Sequence, residues 1–534
     1  MIFTARQVQE KCIEHQLDLY QCFIDLTKAF DTVNREALWT ILLKLGCTEK
    51  FTALIRSLHD DMEAWICFNG DLSEPIPVEN GVKQGDLLAP TLFAIFFAIV
   101  LYRAFATNEN GIYIRYRTSG KLFNLRRLKA LSKTSISVIR DLLYADDCDL
   151  VAHTEADIQN LMDCLSAACD EFGLTISLDK TVMMYQPAPG HDYQPPTIYV
   201  KGGVLKVVDD FIYLGSKLTR FGDLDKEISH RVSKAADAYG KLEERLWSSS
   251  DVNLTTKISV YQACVLTALL YGCETWTFYR GHIRRIDRFH QQCLRRIMKI
   301  YWLSHVPDTE VLDRASLSSV EAMVMRQQLR WSGHVVRLED SRLPKQALYG
   351  EMRHGKRLQS KPKKRYKDCL KETLKKTCIN LESWEECAID RPKWKSTVYD
   401  GIKNFEAQRV SHANLKRDAR HLKDIEPPVD RGPKASLTCS ICNRICLSKA
   451  GLKSHMRSHE NRQSSLSYDI ALDFTCSVCK KVCKSAGGLK RHTKSQHPNE
   501  PEPNCDPLQC SKCSKKCKSL SGLKSHLRSH QRKY

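Results

Sequence analysis

Three acidic residues in the first third of the chain interrupt stretches that are otherwise apolar. Asp25 lies within Cys22–Leu26, and Asp146 and Asp147 separate two further apolar segments. A charge in an apolar strand is costly without a partner, and a divalent cation supplies one. Magnesium prefers carboxylate oxygens, and two such ions can activate a hydroxyl and neutralise a departing pyrophosphate. The pattern indicates phosphoryl transfer, although paired aspartates are also common in surface turns.

A second set of ligands repeats three times near the end of the chain. Each copy has two cysteines separated by two residues and, after twelve more residues, two histidines. The twelve residues are Cys439, Cys442, His455, His459, Cys476, Cys479, His492, His497, Cys510, Cys513, His526 and His530. This spacing closes a tetrahedral zinc site between a β-hairpin and a helix, so we predict three ββα zinc fingers and three zinc ions. Each copy has one more cysteine (Cys446, Cys483 or Cys517), which we expect to fill the small core.

The elements that must position the three acids form a mixed α+β fold. Cys22–Leu26 is typical of a buried strand, and the acid pair is typical of a β-hairpin tip. Apolar residues at helical spacing predict a helix over Ala29–Leu45 and another over Ile158–Phe172, which Gly173 ends. Residues 174–178 alternate as in a strand.

After Gly215 the pattern becomes helical and basic. Apolar side chains from Ile283 to Met298 share one helical face, and arginines cover the remainder. A second basic run occupies residues 353–376. Such surfaces can bind the phosphates of a nucleic-acid backbone, or they can simply be solvated faces of ordinary helices. Both interpretations remain open.

Composition limits the class of protein. The chain has 534 residues and a net charge of +20, and residues 434–534 alone contain 20 basic and 6 acidic side chains. This excess predicts a polyanionic partner, namely nucleic acid. Thirteen of the 23 cysteines are scattered through residues 12–387, as expected in a reducing compartment. We find no signal peptide, and the apolar stretch Leu87–Leu101 is too short to span a membrane. We therefore expect a nuclear or cytoplasmic protein that is neither secreted nor membrane-bound.

Five ordered segments resemble the palm motifs of reverse transcriptases, and most closely those of LINE-type (non-LTR) retrotransposons. They are FIDLTKAFD (23–31), NGVKQGDLLAPTLF (80–93), YADD (144–147), GLTISLDKT (173–181) and FIYLG (211–215). The resemblance continues through RWSGH (330–334) to about Trp394. It implies an RNA-directed DNA polymerase that uses an RNA template, a DNA primer or target and deoxynucleoside triphosphates.

The resemblance also implies a division of the chain. Residues 1–215 correspond to the palm, an antiparallel sheet with helices, and 216–305 to a helical thumb. A basic helical region (306–426), a Pro- and Gly-rich linker (427–436) and the three zinc fingers (437–534) follow.

The resemblance assigns roles to individual residues. It implies that Asp25, Asp146 and Asp147 hold two magnesium ions. Nucleotide-binding roles fall to four residues, namely Phe30 as the steric gate against a 2′-hydroxyl, Gln84 and Gly85 as contacts to nucleotide and template, and Lys180 as proton donor to pyrophosphate. Lys180 is also compatible with an ordinary surface lysine that follows a strand. The segment 211–215 would lie near the primer end.

The chain also departs from the family pattern. Only 24 residues precede Asp25, where the family has a fingers subdomain, and Arg6 alone cannot replace its basic residues. We therefore expect an N-terminally truncated reverse transcriptase. The alternative is a non-catalytic zinc-finger protein that binds nucleic acid and retains the palm as a scaffold. A fourth zinc site from Cys273, His282, His290 and Cys293 competes with a simpler interpretation, the buried face of one helix. The oligomeric state is left open.

Overall fold

The computed structural model describes residues 1–83, 85–357, 363–425, 437–446, 451–456, 508–509 and 516–517, with His459, Cys479, His492 and Gln496. Residues Met1–His421 form one compact unit and Leu422–Tyr534 a second. The predicted divisions after residues 215 and 305 fall inside the first unit, and their limits stay predictions.

The part of the first unit that carries the three acids mixes helices and strands. In chain order its elements are α1 (Ile2–His15), β1 (Leu19–Ile24), α2 (Arg35–Lys44), α3 (Glu49–Ser57), β2 (Glu63–Ala64), β3 (Cys67–Phe68), β4 (Asp71–Leu72), β5 (Ile76–Pro77), α4 (Ala89–Phe105), β6 (Ile112–Tyr116), β7 (Ser135–Ile139), β8 (Asp141–Tyr144), β9 (Asp147–Ala152), α5 (Glu155–Glu171), β10 (Val182–Gln186), β11 (Tyr199–Val200), β12 (Gly203–Val204), β13 (Lys206–Val207), β14 (Asp210–Tyr213) and β15 (Ser216–Thr219).

A five-stranded sheet in the order β13-β10-β1-β9-β8 forms the centre of this part. β1 pairs antiparallel with both β9 and β10, and only β13 runs parallel to its neighbour. Side chains alternate between the two faces of a strand. Cys22 and Ile24 pack in the core with α4 and α5, whereas Phe23 packs in a second core with α1 and β14.

The rest of the first unit is helical. Its elements are α6 (Asp225–Gly240), α7 (Leu254–Val260), α8 (Thr267–Leu269), α9 (Arg280–Ile297), α10 (Asp308–Arg314), α11 (Val320–Arg337), α12 (Leu343–Tyr349), β16 (Glu351–Met352), α13 (Tyr366–Lys376), α14 (Trp384–Ile389) and α15 (Arg391–Ile425). As predicted, the apolar face of α9 is buried. β16 joins β6 and β7 in a small sheet, which ties this region to the N-terminal part.

Two sequence-based boundaries are wrong. α2 begins at Arg35 rather than near Ala29, because Asn34 Oδ1 accepts the Ala37 amide at 2.9 Å and caps the helix there. The predicted strand over 174–178 is reduced to one bridge between Ile176 and Leu26, since the chain turns at once and the Thr181 amide donates to the Ser177 carbonyl at 2.9 Å.

The prediction for the apolar stretch at residues 87–101 agrees with the structure. It forms most of α4, and Phe93, Phe96 and Val100 are buried against the central sheet and its helices. No helix in the described part of the chain is both long and apolar enough to cross a membrane.

Candidate active site

The sheet register brings the distant acids to one end of two adjacent strands. Ile24 of β1 is paired with Cys148 of β9, so Asp25 and Asp147 each lie one residue further along paired strands. The two-residue turn between β8 and β9 consists of Ala145, which has a positive φ of 55°, and Asp146. The predicted hairpin with acids at its tip is therefore present, and Asp25 lies beside it.

The carboxylates at this end of the sheet are close enough to affect one another's protonation. Burial raises the pKa of Asp147, and the neighbouring carboxylates of Asp146 and Asp25 raise it further. One oxygen of Asp25, Oδ2, is enclosed and accepts no hydrogen bond from a described residue, although Lys180 Nζ lies 3.2 Å away. The ammonium group of Lys180 is thus a cation in direct contact with this group of carboxylates.

The backbone on either side of Asp25 is held by the loop that precedes β10. The Asp25 amide donates to Thr181 Oγ1 at 3.3 Å, and the Asp25 carbonyl accepts the Ser177 amide at 2.9 Å. Thr181 is fully buried, whereas the side chain of Lys180 is 70% exposed. The loop therefore fixes the main chain at Asp25, and the side chain of Lys180 remains largely exposed to solvent.

The predicted nucleotide-binding residues lie on segments that contact each other. The ring of Phe30 stacks on Phe93 of α4, with 4.5 Å between the ring centroids. The Val82 amide donates to the Phe30 carbonyl at 2.9 Å, which holds the segment leading to Gly85 beside the predicted gate. Gly85 has φ +93°, a conformation that side chains disfavour, and a methyl group added there would meet no atom of the described residues within 4 Å. Gln84 lies outside the described residues.

The segment 211–215 lies against the face of the sheet that carries Asp25 and Asp147. It comprises most of β14 and the turn that leads to β15, and Phe211 stacks on Phe23 with centroids 4.5 Å apart. The Tyr213 hydroxyl donates to the Leu142 carbonyl at 2.9 Å. Arg6 stabilises this hairpin from behind, because its buried guanidinium donates to Ser216 Oγ at 2.9 Å.

Sequence reasoning missed a fourth acid, which lies on β9 together with Asp147. Asp149 is fully buried, and Gln21 Nε2 donates to its Oδ2 at 3.0 Å. Burial raises its pKa well above the usual range, so this carboxyl holds its proton more tightly than an exposed aspartate does. A signal was present, because a second acid two residues after Asp147 shares its face of the strand.

The first predicted zinc centre is assembled in the second unit. Ligand atoms of Cys439, Cys442, His455 and His459 all lie within 4.8 Å of one another. A two-stranded hairpin of β17 (Leu437–Thr438) and β18 (Ile445–Cys446) carries the cysteines, and helical residues 451–456 carry His455. Two thiols and two imidazoles at this spacing form the donor set that tetrahedral zinc requires.

The other two fingers are described in part. Cys479 Sγ lies 3.0 Å from His492 Nε2, and Cys476 and His497 fall outside the described residues. The third finger contributes a hairpin of β19 (Leu508–Gln509) and β20 (Lys516–Cys517), and its four predicted ligands Cys510, Cys513, His526 and His530 are outside them.

The alternative fourth zinc site is wrong. His290 Nδ1 shares a hydrogen bond of 2.8 Å with the Tyr261 hydroxyl, and His282 pairs with Asp225 at 3.5 Å. These two histidines and the buried thiols Cys273 and Cys293 do not form a metal-ligand group among the described residues. The four residues belong to a helical core.

Comparison with known families covers both units. Residues 3–218 match the reverse transcriptase (RNA-dependent DNA polymerase) family. Residues 437–460 match a zinc finger of C2H2 type, and residues 474–497 and 508–530 match the C2H2 zinc finger family. The matched ranges contain all three acids and all twelve predicted zinc ligands.

Individual relatives are distant. A transposon-derived protein of Caenorhabditis elegans is 26% identical over 49% of this chain and 95% of its own length. The RNA-directed DNA polymerase from the mobile element jockey of Drosophila funebris is 24% identical over 54% of this chain. This chain spans 29% of the length of that polymerase. The solved apo telomerase of Candida tropicalis is 11% identical, with a TM-score of 0.30 over 66% of this chain and 56% of the telomerase.

Proposed function

We propose that this chain, whose residues 3–218 match the reverse transcriptase family and whose C-terminal region matches C2H2 zinc fingers, is an RNA-directed DNA polymerase of a non-LTR retrotransposon. The observation that carries the proposal is the pairing of β1 with β9, which puts Asp25 beside the turn that bears Asp146 and Asp147. Three carboxylates at one sheet end suit nucleotidyl transfer, in which positioning and charge neutralisation do most of the work.

The donor set fits magnesium. Asp25, Asp146 and Asp147 offer only oxygen ligands, and the enclosed oxygen of Asp25 already faces a cation, the Lys180 ammonium group at 3.2 Å. Burial and then the neighbouring carboxylates raise the pKa of Asp147, so a nearby cation would be stabilising. When bound, two magnesium ions favour deprotonation of the primer hydroxyl and offset the charge on pyrophosphate.

Four further residues act on the nucleotide in this proposal. Phe30, supported by Phe93, presents a rigid ring that excludes a ribose 2′-hydroxyl. Gly85 and Gln84 contact the nucleotide and the template base. Lys180 moves from Asp25 to pyrophosphate and donates a proton to it, which its exposure permits.

The zinc fingers hold nucleic acid in this proposal. Three zinc ions fold them, and their basic side chains contact phosphates, so their contribution to binding is sensitive to salt. RNA template, DNA primer or target and deoxynucleoside triphosphates are the partners, and the protein acts in the nucleus or the cytoplasm.

Primer extension tests the proposal. The purified full chain is given magnesium, deoxynucleotides and a primed RNA template, with Asp146→Ala as the inactive variant. Asp170→Ala is the matched control, because Asp170 is an exposed carboxylate on α5 that pairs with Lys201. We expect extension by the wild type and the control, and none by Asp146→Ala. Extension by all three, or by none, would contradict the proposal.

One observation favours the second candidate, a non-catalytic zinc-finger protein that keeps the palm as a scaffold. Lys180 Nζ lies 3.2 Å from Asp25 Oδ2, so part of the charge of the first acid is already neutralised by the chain itself. In that case the wild type would bind nucleic acid through the fingers without extending a primer.

A further inference from the structure

Two exposed stripes of cationic and aromatic side chains lie on helices of the region after the predicted thumb. On α11 the stripe consists of Arg326, Arg330 and His334, spaced four residues apart. On the first turns of α15 it consists of Arg391, Lys395 and Tyr399, with the same spacing. Residues four apart share one face of a helix, so each stripe is continuous.

A close helix contact holds the stripes side by side. A methyl group at Gly333 of α11 would lie 2.1 Å from Nε1 of Trp394 on α15. That indole nitrogen donates to the Leu329 carbonyl at 3.1 Å, and Trp394 is buried. The RWSGH segment therefore places its glycine at the helix crossing and directs Arg330 and His334 outward.

The stripes line a groove of about 1690 Å³ that also includes Arg337. Arg326, Arg330, Arg391 and Lys395 form no side-chain hydrogen bond and no ion pair within the described part of the chain, and Glu274 is the only carboxylate among the described residues that line the groove. Burial lowers the pKa of His334, and the nearby charges of Arg337 and Arg391 lower it further. Positive charges therefore lie close together along this groove.

Two buried lysines elsewhere in the same unit do form ion pairs. Lys11 lies 3.4 Å and Lys367 2.6 Å from the carboxylate of Glu351, whose pKa is held well below its usual range even though its side chain is largely buried. Buried cations in this unit thus have an acidic partner within the chain. The four cations along the groove have none within the described residues, and such a cluster favours an anionic partner from outside the chain.

Aromatic side chains accompany the charge. Tyr399 is 65% exposed and Tyr271 is 46% exposed, and Trp331 lines the same groove half-buried. The Tyr271 hydroxyl donates to the Leu214 carbonyl at 2.9 Å, so the groove begins at the tip of the β14–β15 hairpin. Cationic grooves with exposed aromatic rings suit single strands, whose unpaired bases stack on the rings while their phosphates meet the cations.

We propose that this groove binds single-stranded nucleic acid. The proposal deepens the polymerase function proposed above, because it extends the path of a strand from the β14–β15 hairpin over α11 and α15. Duplex would leave the exposed rings without bases to stack on, and an acidic protein would not need a row of rings beside the cations.

Binding is measured with the full zinc-loaded chain and no deoxynucleotides, using a fluorescein-labelled 20-nucleotide oligo(dT) and a duplex of equal length. The first variant carries Arg330→Glu and Arg391→Glu, and Arg103→Glu is the control, since Arg103 is an exposed arginine paired with Glu171 at 3.0 Å. We expect the double variant to make the negative slope of log K against log salt shallower by about 1.4, and Tyr399→Ala to weaken binding roughly 5- to 150-fold. Circular dichroism confirms that each variant is folded.

Crosslinking separates the groove from the zinc fingers. An oligonucleotide containing 4-thiothymidine is irradiated on the full chain, and the modified peptides are mapped by mass spectrometry. We expect crosslinks at Tyr271, Trp331 or Tyr399. The same crosslinks are expected in Asp146→Asn, so this result does not depend on polymerase activity. Three results would each overturn the proposal: crosslinks confined to residues outside the groove, equal losses in the double variant and in Arg103→Glu, or single-strand binding that Tyr399→Ala leaves unchanged.

Discussion

Two titratable groups inside the first unit give its stability opposite dependences on pH. Burial lowers the pKa of His290 to about 4, and its Nδ1 shares a hydrogen bond of 2.8 Å with the Tyr261 hydroxyl. Burial raises the pKa of Glu10 to about 7, although Thr277 Oγ1 at 2.7 Å and the Tyr366 amide at 2.8 Å both donate to it. Both groups are therefore neutral in the folded protein at slightly acidic pH.

The signs follow from proton counting. Between about pH 6.5 and 4 the unfolded chain protonates His290 and the folded chain does not, so the free energy of unfolding falls as pH falls. Between about pH 4.5 and 7 the folded chain keeps the proton of Glu10 and the unfolded chain loses it, so the free energy of unfolding falls as pH rises. Each effect is about 1.4 kcal/mol per pH unit and about 3 kcal/mol over its window.

In the wild type the two pH dependences of the free energy of unfolding cancel between about pH 4.5 and 6.5. A variant that lacks one of the two groups shows the pH dependence of the other. Urea unfolding under reducing conditions measures the free energy of unfolding at several pH values, and differences from wild type isolate each group. Relative to wild type, Glu10→Gln is expected to gain stability as pH rises. The paired change His290→Leu with Tyr261→Phe, which leaves no unpaired hydroxyl, is expected to lose stability relative to wild type as pH rises. Differences that do not vary with pH would refute the assigned pKa shifts.

Three further predictions concern packing, specificity and metal. Gly333→Ala places a methyl group 2.1 Å from Trp394 Nε1 and is expected to cost about 1–3 kcal/mol in urea unfolding; an unchanged midpoint would mean that the helices do not cross there. Phe30→Ala is expected to raise ribonucleotide incorporation relative to deoxynucleotide incorporation in competition assays, and an unchanged ratio would remove Phe30 as the gate. Chelation is expected to release about three zinc ions per chain and weaken nucleic-acid binding while the helical circular dichroism of residues 1–421 persists; release without weaker binding would exclude the fingers as a binding surface.

The local sequence pattern was sufficient to predict those elements whose structure depends only on neighbouring residues. The strand around Phe23, the hairpin at Ala145 and the helix that ends before Gly173 are all present, with boundaries shifted by a few residues. Apolar alternation and helical spacing are properties of neighbouring residues, so they can be followed along the sequence. The same is true of the first zinc centre, whose four ligands lie within 21 residues.

Contacts between distant segments could not be predicted in this way. The 3.2 Å pair between Lys180 and Asp25 and the crossing of Gly333 with Trp394 depend on how separate elements pack. Helical spacing placed His290 and Cys293 on one face but did not reveal the hydrogen bond between the Tyr261 hydroxyl and His290 Nδ1. Asp149 was missed because its burial depends on α1, which supplies Gln9 as a donor to Gln21 at 2.9 Å.

The central claim is that Asp25, Asp146 and Asp147 share bound divalent cations. Iron(II), added in place of magnesium with ascorbate and peroxide, cleaves the backbone next to the residues that hold it. The account predicts cleavage beside residue 25 and beside residues 146–147 together, competed by excess magnesium and lost at both places in Asp25→Asn. Cleavage at only one of the two places, or cleavage that Asp25→Asn leaves unchanged, would contradict it.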